Sequence, residues 1–270
     1  MKRVSTLILI GLLCLTGCSK VNSAEDIASR YLKQKSDSYH IAGDINITAV
    51  SSDDSDLSID ETFTLSLMED VYKDMSHSLA EIESSSDGSV TYSANVESYL
   101  GEDNNYYFDG GIWTLDENPE FDYSYLTNID PEWFTDAEIT KLDSGDSASY
   151  SMTIPLSKLS NSEDISNMLG DFTDDSLTEA FSHSNVTYFF DSDYNLVRMA
   201  YNATAMNTEI TVDEGTYTTD ISLEFDFRFS NYGGIKQDTV LASDQLKNGV
   251  ALDSEQSDEE PEVIDVAPNP

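Results

Sequence analysis

Ile221-Ser222-Leu223-Glu224-Phe225-Asp226-Phe227-Arg228-Phe229-Ser230 alternates apolar and polar side chains without a break. Successive side chains of a strand point to opposite sides of the pleat. Period two therefore puts five apolar groups on one face and leaves the other face to water. The same alternation recurs along the chain. Tyr39, Ile41, Ile45 and Ile47 form one set, Leu57, Ile59, Phe63, Leu65 and Leu67 a second, and Val90, Tyr92, Ala94 and Val96 a third. Tyr150, Met152 and Ile154 follow, then Val186, Tyr188 and Phe190, with a further run from Leu196 to Met206. Repeated strands with one apolar face predict an antiparallel sheet covered on one side. Asp109-Gly110-Gly111 lies between the arms Tyr106–Phe108 and Ile112–Leu115 and reads as a hairpin turn. Asp191–Asn195 reads as the turn into the Leu196 strand.

Helices are few in this reading. Ser23 precedes Glu25 and Asp26 as an N-cap, and Ile27, Ala28, Tyr31 and Leu32 share one face of a helix running to about Lys35. Pro131–Leu142, with Trp133, Phe134, Ile139 and Leu142, is predicted as a second helix. Glu163–Phe181, broken near Gly170, is predicted as a third. The last two are placed as covers for the apolar face.

The N-terminus carries a different message. Lys2 and Arg3 precede an apolar run from Val4 to Leu15, which ends in Leu15-Thr16-Gly17-Cys18. A run of about a dozen residues is too short for a bilayer, which takes about 20. The pattern is that of a bacterial lipoprotein signal cut before Cys18, whose sulfur then carries a diacylglyceryl group with palmitate-type chains. Two acyl chains hold a protein firmly at a membrane, where one holds it marginally. Cys14 leaves with residues 1–17, so the mature domain has neither a disulfide nor a free thiol. The expected organisation is a signal peptide over 1–17, the lipidated Cys18 and a linker to 23, a β domain over 24–247, and a disordered acidic tail over 248–270. The expected location is extracytoplasmic, at the bacterial cell membrane.

The chain holds 52 acidic and 13 basic residues, a net charge of -39. Such a field excludes nucleic acid, whose binding needs Lys and Arg to displace counterions. It also repels anionic head groups, so the domain is expected to stand off the membrane on its tether.

Motifs for catalysis are not found. His40, His77 and His183 lack ligand-like spacing and read as exposed strand or helix residues. Gly145-Asp146-Ser147 resembles the start of a hydrolase block, but no late Asp-x-x-His follows. Asp53, Asp54 and Asp56, and the turn Asp191, Asp193 and Asn195, have donors suited to calcium. In the second cluster Leu196 stands where an EF-hand needs glycine and Asn202 where it needs glutamate, so solvated turns are the reading for both. No enzyme activity, cofactor or metal is expected.

The lipobox, the capped first helix, and three further elements together resemble the LolA/LppX-like envelope lipoproteins, and among them Gram-positive lipoproteins of unknown function. Those elements are Tyr106-Tyr107-Phe108-Asp109-Gly110-Gly111-Ile112-Trp113-Thr114, the stretch Val186–Ala205 around Asp191-Ser192-Asp193, and the closing Phe229-Ser230-Asn231-Tyr232. The resemblance covers roughly Ala24 to Lys247 and implies a mainly β (α+β) fold: a strongly curved antiparallel sheet, or half-barrel, covered by a few helices. It also implies a hydrophobic ligand, since some members hold acyl chains in the hollow.

In such a shell Tyr39, Phe63, Tyr92, Tyr188, Phe225 and Phe227 would line a cavity for an acyl chain; in a flat sandwich they would simply fill the core. Glu61, in register with Ile59 and Phe63, marks either a wet interior or a strand end. Two functions remain open at this point. One is the binding or carriage of a lipid or other hydrophobic envelope ligand. The other is an adhesion, scaffold or sensor module that binds another envelope protein.

Overall fold

In the computed structural model the described residues are 23–51, 60–101, 105–109, 112–116, 127–142, 147–158, 181, 183–212 and 215–248. They build one open, eleven-stranded antiparallel sheet. In chain order its strands are β1 (Ser38–Ser51), β2 (Asp60–Tyr72), β3 (Met75–Ser86), β4 (Ser89–Leu100), β5 (Asn105–Asp109) and β6 (Ile112–Asp116). They continue with β7 (Ile139–Lys141), β8 (Tyr150–Pro155), β9 (Asn185–Phe190), β10 (Leu196–Val212) and β11 (Gly215–Ser230). The spatial order is β6-β5-β4-β3-β2-β1-β11-β10-β9-β8-β7. The first strand thus pairs with the last at the centre, and a meander runs outward on each side. The sheet is curved and does not close into a barrel, as the mainly β expectation requires.

Register fixes which side chains share a face, because directly opposed antiparallel residues point the same way. One row runs Ile154, Val186, Tyr201, Phe225, Ile45, Leu65, Ile82, Ala94 from β8 across to β4. A parallel row runs Met152, Tyr188, Met199, Phe227, Gly43, Leu67, Ala80, Val96. Both lie on the inner face, which holds the main core. Gly43 is required here: a Cβ would lie 2.5 Å from the Asp226 carbonyl oxygen and 2.5 Å from the Phe227 ring. A glycine in mid-strand permits that close approach and a bend.

Helix α1 (Ala24–Gln34) is capped as expected: the Asp26 N–H donates to Ser23 Oγ at 3.2 Å, with Glu25 and Asp26 in the first turn. Ile27, Ala28 and Tyr31 are buried, whereas Leu32 is exposed rather than docked. The Tyr31 ring meets Phe190 edge-on at 6.0 Å and its hydroxyl donates to the Thr127 carbonyl at 3.0 Å. The helix therefore lies over one end of the inner face.

Two expectations are corrected, and one strand appears where none was expected. Pro131–Leu142 is not a helix: a 3-10 turn covers Pro131–Phe134, and the chain then extends into edge strand β7. Thr135 leaves helical geometry, Asp136 takes φ +65°, and Ile139 and Thr140 pair with β8. Met75–Ser86, which carries no clear alternation of large apolar residues, is a full strand, turned into β4 by Asp87 and Gly88 at φ +50° and +71°. Val90 does not share a face with Tyr92: an irregularity in the β3–β4 register pairs Tyr92 with Ser84 but Val90 with Ser85. The expected strand start at Leu57 and Ile59, the helix over 163–180, the residues before 23 and the tail beyond 248 lie outside the described residues.

Candidate functional site

All six aromatic side chains singled out from sequence fall on the inner face. Tyr39 stands opposite Val71, Phe63 opposite Ile47 and Ser84, and Tyr92 opposite Ser84; Tyr188, Phe225 and Phe227 lie in the β9–β11 half. Their surroundings differ. Tyr39, Tyr188, Phe225 and Phe227 are buried, Phe63 is partly buried, and Tyr92 is 50% exposed.

The buried four belong to a tight aromatic cluster. Phe225 stacks on Tyr201 at 5.0 Å and lies 5.8 Å from Phe227, and Phe134 of the 3-10 turn meets Tyr188 edge-on at 5.3 Å. Phe181, the last residue of the expected third helix, meets Tyr201 edge-on at 6.5 Å. Tyr31, Phe190, Tyr201 and Phe134 are members that sequence reasoning did not assign to the site. The period-two position of Phe190 and Tyr201 was the available signal.

Hydroxyls in this interior are tied to specific partners. Tyr39 Oη and Thr127 Oγ1 are 3.0 Å apart, Tyr201 Oη and Ser184 Oγ are 2.7 Å apart, and Tyr232 donates to the Leu196 carbonyl. Burial pushes the Tyr31, Tyr188 and Tyr232 hydroxyls well above the ordinary phenol range and raises that of Tyr201, so they stay neutral. Around these hydroxyls the interior is lined mainly by apolar side chains. Glu61 is exposed at the start of β2, which makes it a strand end, while Glu69, two positions past Leu67, is the buried acid of the inner face.

The apolar rows do not stop where full burial stops. On β8–β11 their side chains are buried; from β1 to β4, Ile45, Ile47, Phe63, Leu65, Ile82 and Val96 are only partly covered. The inner face therefore has a closed end under α1 and Phe134 and a half-open wing on β1–β4. A separate cleft of about 540 Å³ lies at the β7–β8 edge, lined by Thr135, Asp136, Glu138, Thr153 and Lys158 among others, with Lys158 Nζ donating to the Thr135 carbonyl at 2.6 Å.

The other sequence-flagged groups sit elsewhere. Asp191 is engaged by its own turn: Oδ1 accepts from the Asp193 and Asn195 amides at 2.9 and 2.8 Å, and Oδ2 from Asn195 Nδ2 at 2.9 Å. His40 and His77 are not simply exposed. His40 Nδ1 lies 2.7 Å from Asp70 and His77 Nε2 lies 2.9 Å from Glu97, both on the outer face. His183 is exposed. Among the described residues no helix is long and apolar enough to cross a membrane. Cys18, Asp53, Asp54, Asp56, Gly145 and Asp146 lie outside the described residues.

No protein-family model matches the chain, and no curated protein is similar to it in sequence. Several solved structures match the chain. LprF from Mycobacterium bovis has 14% identity and a TM-score of 0.39, with 81% of this chain and 96% of that chain covered. A LolA superfamily protein from Nitrosomonas europaea has 8% identity and a TM-score of 0.24, covering 83% and 100%. An outer membrane lipoprotein-sorting protein domain from Vibrio parahaemolyticus has 11% identity and a TM-score of 0.26, covering 84% and 97%.

Proposed function

We propose that this chain is a non-enzymatic lipoprotein, tethered outside the cytoplasm through diacylglyceryl-Cys18, that holds an acyl chain or similar hydrophobic envelope ligand on the inner face of its sheet. The observation that carries the reading is the continuity of the apolar rows from the packed β8–β11 end onto the half-covered wing of β1–β4. An acyl chain laid along Ile45, Leu65 and Ile82 removes water from both surfaces, at about 0.8 kcal/mol per methylene. Phe63 and Tyr92 flank that track at its open side, while Tyr188, Phe225, Phe227 and Tyr39 form the closed end against which a chain terminus stops. The tether keeps the site near a membrane, and the net charge of -39 keeps the domain off anionic head groups.

The test uses protein from cells with Cys18→Ala, so that its own anchor is absent. Organic extraction and mass spectrometry are expected to recover bound lipid, and a fluorescent fatty-acyl probe is expected to bind. Leu65→Asp and Ile82→Asp, at half-covered positions, are expected to abolish both. Protein that carries no lipid and takes up no probe overturns the reading. Tethering is tested separately: labelling with a palmitate analogue is expected in the parent and lost in Cys18→Ser.

A further inference from the structure

The outer face also carries an apolar site, and its surroundings define a partner. Met68 on β2 and Leu79 on β3 stand directly opposite each other in register, facing away from the core. They are 52% and 41% exposed. Ala42 flanks Met68 on β1, Glu97 flanks Leu79 on β4, and Phe108 with Trp113, 5.2 Å apart, continue the same row at the sheet edge.

Elsewhere on this face the chain covers its own apolar side chains. Ile235, and Val240 of helix α2 (Gln237–Val240), pack on Tyr72 and Met75; Ala242 and Leu246 pack with Tyr99, Tyr106, Trp113 and Leu115. Met68 and Leu79 lie beyond the end of that cover.

The rim is acidic. Glu81 and Glu83 follow Leu79 on the same face, Asp70 follows Met68, and Glu97 stands beside Leu79, whereas β2 to β6 contain no Lys or Arg. Lys73 lies in the β2–β3 turn with its Nζ over the Tyr72 ring, and Arg198 and Arg228, on the far side of β1, engage Asp226 at 2.7 and 3.7 Å.

This charge pattern selects the occupant. A second copy would set one acidic rim against another, in a chain of net charge -39, and residues 253–260 of the tail are themselves acidic. An apolar centre in an acidic rim is complementary to a basic segment with apolar anchors. We propose that the Met68–Leu79 face docks a cationic, amphipathic segment of another polypeptide, on the side of the sheet opposite the ligand face.

The test titrates the full mature chain, by calorimetry, with a synthetic amphipathic helix-forming peptide of leucine and lysine. Expected are binding by the parent, an affinity loss of about ten-fold or more in Met68→Ser/Leu79→Ser, and a weaker, less salt-dependent association in Glu81→Gln/Glu83→Gln. Circular dichroism checks folding, which solvent-exposed substitutions leave intact, and Leu65→Asp on the inner face is expected to bind the peptide as the parent does. Unchanged affinity in the Met68→Ser/Leu79→Ser variant overturns the proposal and assigns the binding to diffuse charge attraction or to the inner face. Failure of the parent to bind the peptide also overturns it, independently of the outcome of the lipid extraction.

Discussion

Phe227 sits at the middle of the inner face, opposite Gly43 and Met199, and is fully buried. Truncating it removes a ring from a packed aromatic cluster and leaves a cavity that neighbouring strands cannot close. Phe227→Ala is expected to cost about 3–5 kcal/mol, read as a lower midpoint in urea. Tyr188 makes a different prediction. Burial holds its proton, and those of Tyr31 and Tyr232, to higher pH than in the unfolded chain, where tyrosine titrates near 10. Their contribution to stability is intact below about pH 10 and is lost as pH rises above it, because the unfolded state then binds fewer protons. Tyr188→Phe is expected to make the fall in stability above pH 10 shallower by about 1.4 kcal/mol per pH unit, checked by urea denaturation at a series of alkaline pH values. The surface pair Arg198–Asp226, though two-pronged at 2.8 and 2.7 Å, is partly solvated and is worth at most about 1 kcal/mol.

Among the elements, the central strand pair was the easiest to read from sequence and the outer strands the hardest, for a physical reason. β11 packs its inner-facing side chains against core all along Ile221–Phe229, so every second residue must be large and apolar. β3 lies farther from the closed end, and its inner-facing positions include Ser76, Ser78 and Ser84, which leave no apolar period to detect. Its one clear signal was the Asp87-Gly88 dipeptide, suited to the left-handed turn it adopts. Pro131–Leu142 failed in the opposite sense: its apolar spacing suits a helix, but two pieces of it serve separate elements, Phe134 against Tyr188 and Ile139 against β8. The six candidate lining residues were legible as a common face because period two fixes the side. Their division into closed end and open wing was not, because coverage depends on where α1 and the 131–134 turn come to rest. The β1–β11 contact makes its own prediction. Gly43→Ala places a methyl group against backbone and ring at 2.5 Å and is expected to destabilise by about 1–3 kcal/mol, with partial recovery in a Gly43→Ala/Phe227→Leu double variant, measured by thermal unfolding.

Taken as a whole, the molecule uses its two faces for different chemistry. The inner one is mainly apolar, with tyrosines held in their uncharged form and Glu69 as its buried acid. The outer one is strongly acidic, with a small apolar centre at Met68 and Leu79. A bound amphiphile and a docked polypeptide would therefore not compete for the same surface. Loading the fatty-acyl probe is expected to leave the affinity for the leucine–lysine peptide unchanged within about two-fold, because a rigid sheet separating two sites transmits little coupling free energy; sequential titration in either order checks it.

The seam where Ser38–Ser51 meets Gly215–Ser230 joins the earliest-made strand to the last. Until the ribosome has supplied the final ladder, the middle of the molecule has no second wall, and each lateral meander is left with a bare hydrogen-bonding edge. Such distant pairing folds slowly. Truncation before residue 215 is therefore expected to yield a chain without cooperative unfolding, read by urea denaturation.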